Sequence, residues 1–194
     1  MKPPQWLLTF KWAVISFITI FAISMSFFLG ESPKPAKAEM SGPYAPTPND
    51  KMVGFMRHMN KDLNTDTAYL LSDAIIRNAV KYHVPVELQL GLITTESHFD
   101  QYAISSAGAL GFYQVMPNIH NDKVHTMYAS GEIQTKNIYD PYTQAALGTK
   151  ILSDCLKKRH EVRKALFCYN GSDASIEYAR EVLKNMKMAR LAMK

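Results

Sequence analysis

The chain has 194 residues, 47% of them apolar and 20% charged, with a formal net charge of +5. That length and balance suit one packed globular domain with an appendage. No basic–aromatic patch of the kind that binds nucleic acid is present, and the charge is partly a property of the leader. Lys2, Lys11, Lys34 and Lys37 stand against Glu31 before Glu39, so the remainder carries only +2.

Residues 1–38 read as a signal peptide or signal anchor. Lys2 and Lys11 precede or flank Trp12–Leu29, eighteen uncharged and strongly apolar residues. This run is longer than an ordinary signal-peptide core and just long enough to span a bilayer. Pro33 and Pro35 break any helix, and Ala36-Lys37-Ala38 offers an A-x-A cleavage site before Glu39. Cleavage and retention both fit, and either exports the downstream domain, because the positive flank stays cytoplasmic. The expected location is the periplasm or cell envelope, with anchoring to the inner membrane left open. Residues 39–66 are expected to be a linker, starting with Gly42, Pro43, Pro46, Pro48 and Asn49 and holding at most a helical turn at Met52–Met59.

The domain itself is expected over 67–185. A helix from Thr67 to His83, capped by Thr65 or Asp66, carries Ala68, Leu71, Ala74, Asn78, Ala79 and Tyr82 near helical spacing. Pro85 opens a second helix in which Leu88, Leu92 and Glu96 are spaced by four. Glu96 therefore lies on or beside the apolar stripe, where partial desolvation raises a carboxyl pKa toward the range a general acid needs. A Ser- and Gly-rich loop follows, then a second short helix carrying Gln114. Between Asn118 and Lys136, the trio His120, Asp122 and His125 lacks metal-ligand spacing and reads as solvated surface, so no metal is expected. Asp140-Pro141 caps a helix running through Ile151 to Leu156. Its basic end, Lys157-Lys158-Arg159, suits the helix dipole and reads as solvated. Cys155 and Cys168 both face inward, and one disulfide fits as well as two buried thiols. Residues 186–194 form a basic tail, read as solvated, with a docked or lipid-touching helix as the alternative.

Three ordered blocks carry more than these patterns. The first is Glu96-Ser97-His98-Phe99, Ser105, Ala107-Gly108-Ala109, Gly111-Phe112-Tyr113-Gln114 and Met116-Pro117. The second is Asn137-Ile138-Tyr139-Asp140-Pro141, and the third is Ala165-Leu166-Phe167-Cys168-Tyr169-Asn170-Gly171. Over roughly Ala68 to Leu183 the chain resembles the lytic transglycosylases with a goose-type lysozyme-like catalytic domain. The resemblance implies a mainly α, lysozyme-like fold acting on peptidoglycan glycan strands without metal or cofactor. Glu96 is the implied catalytic acid; Ser105, Gly111, Gln114, Met116, Tyr169 and Asn170 are the implied substrate-binding residues.

Counting acids agrees with a single-carboxyl mechanism. Hydrolysing glycosidases usually need two carboxylates, and only Glu96 has the right setting; Asp100 falls where its helix should end. In the family's reaction the acid protonates the bond between N-acetylmuramic acid and N-acetylglucosamine. It then takes the proton from the muramoyl C6 hydroxyl as a 1,6-anhydro ring closes. The rivals are a lysozyme-like muramidase on the same fold and a non-catalytic peptidoglycan-binding part of a secretion, conjugation or pilus apparatus. An intact acid argues against the latter, although the small size fits local wall opening for such a machine. Three departures from the family pattern stand out. Phe112-Tyr113 replaces Leu-Met, giving either a more aromatic subsite wall or two side chains facing the core. Gln144 replaces Asn at a helix start, and Gly171-Ser172-Asp173 replaces Ala-Gly-Pro.

Overall fold

The computed structural model describes residues 47–171 and 176–194. The leader, its cleavage site and the first part of the proline-rich stretch lie outside these residues, as does the altered turn at 172–175. The described residues form seven helices: α1 (Pro48–Met59), α2 (Thr65–Tyr82), α3 (Val86–Ser97), α4 (Pro117–Ala129), α5 (Pro141–Arg159), α6 (Val162–Asn170) and α7 (Ile176–Ala192). The chain is mainly α, as expected. No helix among the described residues is long and apolar enough to cross a membrane.

Helix α1 corrects the expected linker. Thr47 and Asp50 form a capping box, the Asp50 N–H donating to Thr47 Oγ1 at 3.1 Å and the Thr47 N–H to Asp50 Oδ2 at 2.8 Å. Pro48 sits in the first turn, where its missing N–H leaves nothing unpaired. Met52, Val53, Phe55 and Met56 then form a buried stripe, and Phe55 meets Phe99 edge-to-face. Among the described residues the packed body thus reaches back to Thr47, before the expected start at residue 67. Proline richness suggested a tether, but one of those prolines opens a helix.

In α2 the cap is Asn64, whose Oδ1 accepts from the Asp66 and Thr67 N–H groups, rather than Thr65 or Asp66. His83 closes the helix in the left-handed conformation at φ 56°. Helix α3 is apolar on nearly every side, with Leu88, Leu90, Leu92 and Ile93 buried, as befits a helix enclosed by others. Pro85 is its N-cap, one residue outside the helix it was expected to open.

Helix α7 lies against α3 at Gly91. A Cβ there would stand 2.5 Å from the Met186 backbone nitrogen and 2.6 Å from the Val182 carbonyl oxygen, so the two backbones meet with no room for a side chain. This contact corrects the expected solvated tail. Residues 186–192 continue α7, because Val182, Met186, Ala189 and Met193 recur at helical spacing and pack on the core. On the other side of the body, Asp140 caps α5 by accepting the Thr143 N–H at 2.8 Å. A Cys155–Cys168 disulfide ties α5 to α6, with Cα atoms 5.7 Å apart. Of the two states left open by the sequence, the bridged one is observed.

Candidate active site

Glu96 sits in the last turn of α3, half-buried. Burial pushes its carboxyl up to about 7, against the opposing pull of a hydrogen bond donated by the Tyr178 hydroxyl to Glu96 Oε1. Tyr178 stands in the first turn of α7 and is engaged in turn by the Asn170 side chain at the end of α6. Its own pKa is raised, first by burial and then by the Glu96 charge, so the hydroxyl remains a donor. Sequence reading gave Tyr178 no role. The contact spans 82 residues and exists only because α7 packs on α3.

The chain leaves α3 through two consecutive left-handed residues, His98 at φ 50° and Phe99 at φ 58°. The turn is pinned from both sides. Ser97 Oγ donates to the Phe112 carbonyl at 2.9 Å, and Asn60 Nδ2 to the Phe99 carbonyl at 3.1 Å. Asp100 is exposed and accepts the Tyr102 N–H at 2.9 Å, a local turn contact directed away from any acid–base task.

Between α3 and α4 runs an irregular, tightly bonded loop. Ser105 exchanges backbone and side-chain bonds with Ala109, its N–H donating to the Ala109 carbonyl and its Oγ accepting the Ala109 N–H, both at 3.0 Å. Among the described residues no acceptor takes the Ser105 hydroxyl proton, so it is available to a ligand. Gln114 lies in a turn at φ 47°, not in the short helix expected for it; that helix begins only at Pro117. Gln114 Nε2 donates to the Ala103 and Gly111 carbonyls at 3.2 and 3.1 Å. Its amide oxygen is left as an acceptor.

Behind this loop stands Gln144. Its Nε2 donates to the carbonyls of Leu110, at 3.2 Å, and Ile138, while its Oε1 accepts the Tyr113 N–H at 3.1 Å. The longer amide therefore bridges the first two sequence blocks from the start of α5. Phe112 and Tyr113 are fully buried, which decides between their two readings: they face the core. The Tyr113 hydroxyl donates to Gln89 Oε1 at 2.8 Å, and its ring covers Gly148, where a Cβ would come within 2.1 Å.

A cavity of about 680 Å³ opens in front of these elements. Glu96, Ser105, Gln114, Met116, Tyr169 and Asn170 all line it. Gly111 does not; at φ 69° it turns the loop and leaves space for Gln144, 2.7 Å from where its Cβ would be. Tyr169 donates its hydroxyl to the Tyr113 carbonyl at 2.8 Å. Burial, then the charge of Glu96, raises its pKa. The lining also takes in His120 and Lys123 of α4 and Asp154 and Lys158 of α5, none of which sequence reading placed in the cleft. Burial would raise the Asp154 pKa, but hydrogen bonds and charge from Lys123 and Lys150 hold it below the ordinary value. The disulfide is part of the lining too, with Cys168 next to Tyr169. Among the described residues no three His, Cys, Asp or Glu side chains are grouped to hold a metal ion.

The arrangement can donate a proton and take one back. A carboxyl titrating near neutrality is populated in both forms there, and proton transfer in either direction is then nearly balanced.

Comparison with known proteins reaches the same elements. The family described as the transglycosylase SLT domain matches residues 73–189. Membrane-bound lytic murein transglycosylase C of Haemophilus influenzae (strain PittEE) is 39% identical over 80 residues, 40% of this chain and 22% of that protein. The enzyme of the same description from Yersinia enterocolitica is 36% identical over 78 residues, with the same coverage of each. Membrane-bound lytic murein transglycosylase E of Buchnera aphidicola is 26% identical over 120 residues, 55% of this chain and 54% of that protein. The chain thus spans about a fifth to about half of the length of these curated relatives. The family match takes in most of α2, all of α3 to α6, whose residues line the cleft, and most of α7, and the chain belongs to the transglycosylase SLT domain family.

Proposed function

We propose that this protein is a peptidoglycan lytic transglycosylase that cleaves the β-1,4 bond from N-acetylmuramic acid to N-acetylglucosamine without water. The observation that carries this reading is the carboxyl of Glu96, pushed up to about 7 by burial in the cleft and hydrogen-bonded by Tyr178. Protonated Glu96 gives its proton to the glycosidic oxygen as the C1–O bond breaks. The resulting carboxylate then removes the C6 hydroxyl proton while O6 bonds to C1, so the same group ends as it began. Tyr178 steadies the carboxylate between the two steps. The Ser105 hydroxyl and the Gln114 amide oxygen offer a donor and an acceptor to the acetamido and hydroxyl groups of the sugar. Tyr169, Asn170 and Met116 complete that wall.

Asp154 is the other carboxylate in the cavity, and both of its oxygens are held by lysines, Oδ2 by Lys123 at 2.9 Å and Oδ1 by Lys150. That leaves it poorly suited to activate water, which favours ring closure over hydrolysis. Mass spectrometry of purified peptidoglycan after digestion tests the reading. Products ending in 1,6-anhydromuramic acid are expected from the wild type and none from Glu96→Gln. Reducing ends one water heavier would make the protein a muramidase instead, and no product would favour a binding role.

The leader and the names of the membrane-bound relatives support action in the cell envelope. There the protein would open the wall locally for a secretion, conjugation or pilus apparatus. Pull-down from envelope fractions checks this, and recovery of no assembly component counts against it.

A further inference from the structure

The α4 and α5 part of the cavity lining carries a charge pattern that neither acid–base chemistry nor sugar recognition uses. Lys123 of α4 reaches Asp154 of α5, 31 residues along the chain, at 2.9 Å. Lys150, one turn before Asp154, takes the other oxygen. One carboxylate thus answers two lysines. Lys158 stands one turn further along α5, lines the same cavity and is exposed, and among the described residues it has no ion-pair partner. The nearby acid Glu132 is already engaged by Lys81 at 3.1 Å and by the Tyr82 hydroxyl. A neighbouring pocket shares Lys158, Cys168 and Gly171 with this cavity and adds Arg159 and Lys164. The other residues of the cavity named above, Ser105, Gln114, Tyr169 and Asn170, are all neutral.

A cleft lined both by neutral hydrogen-bonding groups and by cations fits a ligand that carries neutral and anionic groups together. A glycan strand bearing peptides is such a ligand. Its sugars present hydroxyls and acetamides, and the peptide that hangs from each muramoyl lactyl group carries free carboxylates. We propose that Lys123 and Lys158 form a carboxylate-binding subsite that holds the peptide stem of the strand while its sugar backbone lies against Glu96. This rests on the peptidoglycan reading above and adds a preference to it: the substrate is stem-bearing glycan, gripped by charge from the α4–α5 wall. The basic end of α5 is then a ligand contact as well as a partner for the helix dipole.

The test compares intact peptidoglycan with the same material after its peptide carboxyls are converted to amides with carbodiimide and ammonia. The purified protein is expected to show kcat/KM about tenfold higher on the untreated polymer. Lys158→Gln lowers that ratio by about fivefold, chiefly through KM, as does Lys123→Gln, while Lys158→Arg keeps it. The preference also shrinks with added salt. Equal rates on both polymers, or a ratio unmoved in Lys158→Gln, would overturn the subsite. If the protein cleaves neither polymer, the transglycosylase reading fails and titration calorimetry still decides the subsite. A disaccharide tetrapeptide should bind more tightly than its amidated form, and Lys158→Gln should remove the difference. Equal binding of the two forms by the wild type would refute the inference by itself.

Discussion

Folded, the chain keeps a proton on Glu96 up to about pH 7, whereas an ordinary Glu releases it near 4.5. The folded state therefore binds more protons than the unfolded one between those values, and stability falls as pH rises through them. Above pH 7 the ionised carboxyl costs on the order of 3 kcal/mol. Glu96→Gln is expected to abolish cleavage and yet raise Tm at about pH 8, with little change at about pH 4; paired thermal melts check it. The reaction's acid step should fail as pH climbs past the same pKa. Tyr178→Phe removes the hydrogen bond that lowers the Glu96 pKa, so the alkaline limb of the rate profile should move upward. The rate should drop by about tenfold to a hundredfold, the usual worth of one charge-assisted hydrogen bond. Of these two residues only Glu96 was legible in the sequence. Spacing by four from Leu92 and Leu88 is local information, whereas the Tyr178 contact depends on two helices meeting far apart in the chain.

At the scale of helices, the disulfide between α5 and α6 closes a loop of 13 residues. Replacing Cys155 and Cys168 together by Ser is expected to cost about 3 kcal/mol, read as a lower urea midpoint. Activity should fall further than stability alone requires, because Tyr169 and Asn170 ride on α6. Gly91→Ala probes the other joint. Its Cβ would meet backbone atoms of α7 that cannot rotate away. A loss of about 1–3 kcal/mol is expected from overpacking, with a reduced kcat as Tyr178 is drawn off Glu96. The sequence identified α2, α3 and α5 because each pairs a capping or turn signal with an apolar stripe. It misjudged α1 and the end of α7. There prolines and lysines were weighed as signs of solvation, although Pro48 merely starts a helix and Lys184, Lys187 and Arg190 lie beside an apolar stripe that packs.

For the molecule as a whole, the part that α1 plays in the packed body has a direct check. A fragment of residues 47–194 is expected to melt cooperatively, whereas residues 67–194, which lack α1, should not. Loss of Phe55 and Met56 uncovers Phe99, and loss of Asn60 frees the Phe99 carbonyl that pins the turn after Glu96. Circular dichroism during heating distinguishes the two. The cleft's neutral wall was readable from the three sequence blocks. Its cationic residues were not, since Lys123 and Lys158 come from different helices that only the fold brings to the cavity of Glu96. The docking of α7 on Gly91 also sets an order in time. Helix α7 comes after the other six in the chain, so a ribosome makes Glu96 long before it makes Tyr178. A nascent chain carries its acid without the partner that tunes it. Competence arrives only when α7 docks on α3, so the cleft becomes chemically complete after the helices that line it have already been made.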